Sequence, residues 1–448
     1  MILLFATLIG TFAVGCLGYL VSSLLTKKDE VLEKFGLSIP LGFGIFTLFI
    51  FFYSLTGIRI NLLTMSMTLI ILLSVSYLLA RNKLKKPDWK FLLGWTLLQK
   101  ILLLAILGTI AVSLIHAVYY PVSAWDALTL YDFRAKIILQ EGHFTQIANN
   151  FSTNFSYYPL LTSLIHVWIY ALGGNNPQFV YSLYFLSFLI IFYSLVLRNS
   201  TKTIALISTF ALGSTPILYY HSTFAYTNLP YTIYMASGLL YLFLFLANKS
   251  VKTLILSALL VGLSTWSRSA EQFWVTPLLV WFVYSLFKKQ FLPVIVYSLV
   301  FFAVRQPWSI FLSGLYGSYY SISTQAVTAG KVLAGGQVDF SRFMEVLRFI
   351  YQNVILGWGP VWILFIFCLI LELLLLRRTK RLIFVAVVGI NLGILIAGTY
   401  FLGLRFKDWR DLTESASRSS MFFIPLFLYY IGTSDIINRL FFGTKKQA

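Results

Sequence analysis

The sequence predicts an all-α, polytopic membrane protein, and three observations carry that prediction. The 448 residues are 59% hydrophobic and only 11% charged, with a mean hydropathy of +0.83, far from the balance of a soluble domain. Apolar runs of roughly 17 to 25 residues recur along the whole length, each long enough to cross a hydrocarbon core of about 30 Å as a helix. The runs are too long and continuous for the strands of a barrel, the other fold that satisfies its backbone in lipid.

About thirteen spans follow from such runs, at residues 2–25, 38–56, 61–80, 92–117, 177–197, 202–221, 228–247, 252–266, 272–287, 291–306, 354–376, 382–403 and 419–437. No basic segment precedes the first run, so it reads as a span and not as a secretory leader. Cys16 and Cys368 lie inside apolar runs and offer neither a disulfide framework nor a thiolate cluster. Residues 1–91 form an N-terminal three-helix extension ending in the basic linker 81–91. Residues 92–437 form the main transmembrane module, and 438–448 a short tail.

Sidedness comes from the connectors. Lys27-Lys28, Arg81 to Lys90, Arg198 to Lys202, Lys249 to Lys252, Lys288-Lys289, Arg377 to Arg381 and Arg439 to Lys446 fall on one side if the spans alternate. The positive-inside rule makes that side, and the C-terminus, cytoplasmic; the plasma (inner) membrane is the expected location. The net charge of +19 then reflects topology and calls for no nucleic acid. The short aromatic segment 158–173, ending in Gly173-Gly174-Asn175-Asn176-Pro177, would turn every later connector to the wrong side if it crossed. It reads as an interfacial helix.

Loops 118–176, 307–353 and 404–418 then face outward, and they are charged with both signs. Arg268, Arg305, Arg342, Arg348, Arg405, Lys407, Arg410 and Arg418 lie there or at outer helix ends, against the bias that orients spans. Asp126, Asp132, Glu141, Glu271, Asp339, Glu345, Asp408, Asp411 and Glu414 share that face. Chemistry belongs on this side.

Within the first outer loop, Ser123-Ala-Trp125-Asp126 approaches a capping box, and Asp126 serves either as a helix cap or as a general base at the lipid boundary. If a regular helix follows, Asp126, Thr129, Asp132, Lys136 and Gln140 share about 120° of arc. Asp132 and Lys136, four apart, are placed to pair. Arg268, in the short connector Thr265-Trp-Ser-Arg268-Ser-Ala-Glu271, either pairs with Glu271 or favours an anionic ligand near headgroup depth. Arg305 and Arg418 pose the same choice, with snorkelling to lipid headgroups as the plainer reading. His116, His143, His166 and His221 are scattered without metal-ligand spacing. No Walker, GxGxxG or GxSxG motif occurs.

Trp125-Asp126-Ala127 with Arg134-Ala135-Lys136, Tyr158-Pro159-Leu160 leading to Ala171-Leu172-Gly173, and Ala225-Tyr226-Thr227-Asn228-Leu229-Pro230 appear in that order. Ser267-Arg268-Ser269-Ala270-Glu271, Pro307-Trp308, and Ser417-Arg418-Ser419 with Pro425 follow. Together they resemble the GT-C superfamily of membrane glycosyltransferases, in the branch similar to protein O-mannosyltransferases and lipid A aminoarabinose transferases. The resemblance covers roughly residues 92 to 437 and leaves the first three spans outside it.

It implies a polyprenyl-phosphate-linked sugar as donor, a glycan, lipid or protein hydroxyl as acceptor, surrounding membrane lipids, and Asp126 as the catalytic aspartate. Arg268, Arg418 and Arg305 then hold the donor phosphate, with Trp125, Asp132, Lys136, Tyr158, Asn228 and Glu271 in support. No cofactor is required, though Asp126 and Asp132 leave a divalent cation open. An isoprenoid tail is expected against lipid-facing residues near 228–247 and 354–376. Asn228 departs from the family pattern, which carries an acid there. A flippase of lipid-linked sugars and a non-catalytic membrane scaffold are the competing readings; the former needs charges at mid-membrane and inverted repeats.

Overall fold

A computed structural model of the chain describes residues 2–27, 30–84, 94–144, 158–268, 272–316, 330, 339–376, 382–405 and 414–437. Among them there is no strand. Eight helices are long and apolar enough to cross a membrane, or up to ten when two bent pairs each count as one span. The chain is a helical, multi-pass membrane protein.

The N-terminal helices are α1 (Ile2–Leu25), α2 (Val31–Leu55) and α3 (Leu62–Ala80). Then come α4 (Leu97–Tyr119), α5 (Phe133–Glu141) and α6 (Leu161–Ala171). A capping box starts α3, where Thr64 N–H donates to Asn61 Oδ1 (3.0 Å) and Asn61 N–H to Thr64 Oγ1 (3.1 Å). Another starts α4 between Thr96 and Gln99. Each satisfies helix-start donors that lipid cannot. Helices α1 and α2 touch backbone to backbone: a Cβ on Gly18 would lie 1.8 Å from Ser38 O, and one on Gly42 2.1 Å from Val14 O. Small residues at such crossings are how membrane helices gain packing without a hydrophobic drive.

Helix α2 begins earlier than the apolar pattern at 38–56 indicates. Its first turns carry Glu33 and Lys34, both buried, which hydropathy alone excludes. Glu33 is tolerated because protein, not lipid, surrounds it: Tyr241 Oη donates to Glu33 Oε1 (2.6 Å), and Arg198 pairs with Glu33 and with Glu30 (2.8 Å). Further bonds tie α2 to later helices, from Tyr234 Oη to Pro40 O (2.6 Å) and from Trp266 Nε1 to Thr47 Oγ1 (3.0 Å). Arg198→Ala leaves Glu33 a buried, uncompensated carboxylate. It is expected to cost about 3 kcal/mol, read as a lowered thermal unfolding midpoint in detergent.

The segment expected at the interface is instead interior. Leu161 to Ile169 of α6 are all buried, packed among α2, α5 and the later helices. Ser163, His166 and Tyr170 on it find protein partners in Arg134, Tyr181 and Asp132.

The remaining helices are α7 (Phe179–Leu197), α8 (Lys202–Gly213), α9 (Pro216–Ser222), α10 (Asn228–Asn248), α11 (Val251–Ser267) and α12 (Val275–Lys288). They are followed by α13 (Leu292–Tyr316), α14 (Phe340–Ile350), α15 (Val361–Leu376), α16 (Leu382–Arg405), α17 (Glu414–Ser419) and α18 (Phe423–Gly432). The run at 202–221 is broken: α8 and α9 meet at 69°, with Pro216 opening the second piece. Residues 340–358 meet α15 at 91°, with Gly359 at φ +67° in the break. Helix α11 has 17 residues and α12 has 14, which at about 1.5 Å per residue fall short of a full crossing. Helix α10 is buried nearly throughout, so it does not offer the lipid-facing isoprenoid surface expected near 228–247.

Candidate functional site

The carboxylate of Asp126 meets the guanidinium of Arg418, with Nη1 2.6 Å from Oδ2. The two residues are 292 apart in the chain. Arg418 lies on α17 and its guanidinium sits 5.3 Å from the centroid of Tyr226, within cation–π range. Tyr226 Oη accepts from the backbone N–H of Asp126 (3.3 Å), so one phenol braces both partners. Both charges remain partly exposed, Asp126 at 33% and Arg418 at 21%. The capping role for the Asp126 side chain is not realised, since it makes no cap hydrogen bond.

The polar stripe expected along this helix is also not formed. Ala127–Asp132 is a π-helix, whose wider turn removes the 100° step that aligns Asp126 with Asp132. Asp132 instead turns inward. It pairs with Lys136 (2.8 Å), lies 3.3 Å from His166 Nδ1 and accepts from Tyr170 Oη. His166 Nε2 lies 3.0 Å from Tyr181 Oη. Burial pushes the Asp132 carboxyl up, but the hydrogen bonds from His166, Lys136 and Tyr170 outweigh it and hold the value down at about 2. Burial lowers His166, which therefore stays neutral beside the charged carboxylate.

The sign of the resulting pH dependence is fixed. Asp132's folded value lies below its ordinary value of about 4, so its stabilisation is complete above that pH and disappears as pH falls towards about 2. His166 adds a loss of its own that begins below about pH 6.5. Asp132→Asn is expected to flatten the limb between about pH 4 and 2 and, because Asp132 raises His166 against burial, to deepen the loss below about pH 6.5, measured as unfolding midpoint against pH.

A second cation lies on the other side of the Tyr226-Thr227-Asn228 turn. Arg268 ends α11, is buried, and donates from Nη1 to Asn228 Oδ1. Ser267 Oγ donates to Thr227 O (3.1 Å), and Thr227 Oγ1 lies 3.1 Å from Tyr131 Oη. Tyr131 senses both the Arg268 and Asp126 charges, though burial is the main reason its phenol is pushed up. The short turn before α10 therefore gathers Asp126, Arg418 and Arg268 into one locality.

The other expected residues divide. Trp125 is 75% exposed and its carbonyl accepts from Thr129 Oγ1 (2.7 Å). Tyr158 stands edge-on to Tyr131 (5.9 Å), and its carbonyl is held by Arg134 Nη1 (2.7 Å). Arg134 also holds Pro159 O (3.0 Å) and Ser163 Oγ (2.9 Å). Burial lowers its value to about 10, leaving it a cationic brace. Arg305 is buried against Trp274, 4.3 Å from the ring, and no described contact links it to Arg418 or Asp126. Glu271 lies outside the described residues.

Asp126 and Asp132 engage different partners, Arg418 and Lys136. Among the described residues no group of three metal-ligating side chains comes together. A pocket of about 350 Å³ lies over Leu128, Thr129, Asp132, Phe133 and Lys136. A larger one, of about 500 Å³, is lined mainly by aromatic and apolar side chains including His116, Ile217, Tyr220 and Phe224. It does not contain the charge pair, but its Phe224 wall is 6.2 Å from Tyr226.

Sequence reasoning missed the Tyr226 brace and the His166, Tyr170 and Tyr181 surround of Asp132. His166 and Tyr170, four apart on one short helix, were the available signal. Comparison with protein-family models, curated proteins and solved structures finds no match to the chain.

Proposed function

We propose that the chain is an inverting membrane glycosyltransferase of GT-C type, with about thirteen crossings counting its short and bent helices. It moves a sugar from a polyprenyl-phosphate carrier to an acceptor hydroxyl on the extracytoplasmic face. The observation that supports this most is the 2.6 Å pairing of Asp126 with Arg418 over Tyr226, with Arg268 across the same turn. A base and two anion-binding cations in one locality are what attack on a phosphate-linked sugar requires.

In this reading the acceptor oxygen attacks the anomeric carbon while its proton passes to an Asp126 carboxylate oxygen. The bond from that carbon to the phosphate oxygen breaks, and its electron pair leaves on the phosphate. Arg418 and Arg268 stabilise the charge that grows there. A phosphomonoester leaves without acid assistance. The donor phosphate competes with Asp126 for Arg418, so donor binding releases the carboxylate to act as a base. The aromatic pocket beside Phe224 takes the isoprenoid end, in place of α10.

Incubating the protein in proteoliposomes with a panel of synthetic polyprenyl-phosphate sugars, and weighing the products by mass spectrometry, tests the reading. Transfer with inversion supports it, and movement of the lipid-linked sugar across the bilayer without transfer replaces it with a flippase. Asn228→Asp puts a carboxylate against Arg268 and neutralises it in place. Because Arg268 is assigned to the charge that grows on the leaving phosphate, the expected result is a kcat lowered about tenfold, with the donor KM raised as well.

A further inference from the structure

We propose that the protein carries a second site, holding the phosphodiester headgroup of a net-anionic membrane lipid. Helix α10 begins at the first site with Asn228 and ends with Asn248, about 30 Å away. There a pocket of about 220 Å³ opens among the ends of α1, α7 and α10 and the starts of α2 and α11. Lys27, Arg198 and Lys252 line it, together with Glu30 and Glu33.

The two carboxylates are occupied. Arg198 bridges them, Tyr241 donates to Glu33, and the backbone N–H of Lys27 donates to Glu30 Oε2 (3.1 Å). Among the described residues neither Lys27 nor Lys252 has an acidic partner for its ammonium group. Three cations against two carboxylates leave one positive charge in excess, which a monoanionic phosphodiester neutralises and a zwitterionic headgroup does not. Helices α2 and α11 both start at the wall without a side-chain cap, adding partial positive charge.

The rest of the lining selects lipid over a soluble anion. Leu25, Leu244 and Leu256 form an apolar side along which an acyl chain lies while the phosphate meets the lysines. Basic pockets between membrane helices favour anionic headgroups for this reason. The site is independent of the proposed transfer reaction.

The test uses the full chain, delipidated in detergent and titrated by native mass spectrometry with phosphatidylglycerol, phosphatidylcholine or glycerol 3-phosphate. One phosphatidylglycerol per chain is expected, at about a tenfold lower concentration than phosphatidylcholine. The Lys27→Ala/Lys252→Ala double variant alters only exposed side chains and is expected to bind it about thirtyfold more weakly. Lys288→Ala/Lys289→Ala is expected to bind normally. Equal binding of the two lipids, equal losses in both double variants, or no loss in the first overturns the proposal. Displacement of phosphatidylglycerol by glycerol 3-phosphate at matched concentration also overturns it, in favour of a soluble phosphate.

Discussion

Asp126→Asn is expected to lower turnover by roughly 100- to 10,000-fold while leaving the fold intact and the lipid phosphate more tightly bound. The carboxamide keeps the shape of the side chain but cannot take a proton from the acceptor. Fold stability changes little, because the pair is partly exposed and such pairs contribute about 0 to 1 kcal/mol. Binding moves the other way. Arg418 loses its anionic partner and meets the donor phosphate without competition, so affinity for a synthetic polyprenyl phosphate is expected to rise about fivefold.

Turnover and affinity diverge only if both parts of the mechanism hold. Full transfer by the variant sinks the base assignment. Unchanged phosphate affinity sinks the exchange at Arg418 and leaves the base untouched. A purely structural pair predicts a lower unfolding midpoint with no gain in phosphate binding.

Much of this arrangement is legible in the chain, and the illegible parts share a cause. Composition and run length identify a multi-pass helical protein because lipid excludes unsatisfied backbone. The segregation of both charge signs into a few connectors marks where a site belongs. What hydropathy misreads are positions where protein replaces lipid as the surroundings. The first turns of α2 carry Glu33 into the interior against Arg198 and Tyr241. Helix α6 has the length and aromatic character of a surface helix, yet it is enclosed with His166 against Asp132. The stripe from Asp126 to Gln140 fails for a different reason, since a π-helix is a local change of period that residue spacing does not announce. The partner of Asp126 is invisible from the sequence because it lies 292 residues away.

Arg418→Gln is expected to cut turnover about 100- to 1,000-fold and to weaken binding of a polyprenyl phosphate. Arg418→Lys is expected to recover only part of the loss. Lysine restores the charge but not the planar fork that grips two phosphate oxygens, nor the flat face that lies 5.3 Å from Tyr226. Glutamine also frees Asp126 from its cation, which on basicity alone favours the variant. The net loss therefore measures how much leaving-group stabilisation exceeds that gain. The double variant with Asp126→Asn separates a shared transition state from two independent effects. Groups acting on one step are non-additive, so the double is expected to be no slower than about threefold below the worse single. Losses that multiply would instead assign Arg418 to donor binding before the chemical step. In that case Arg268, buried across the Thr227 turn and joined to Asn228, becomes the cation that meets the departing phosphate, and its replacement by glutamine takes over the larger loss in kcat.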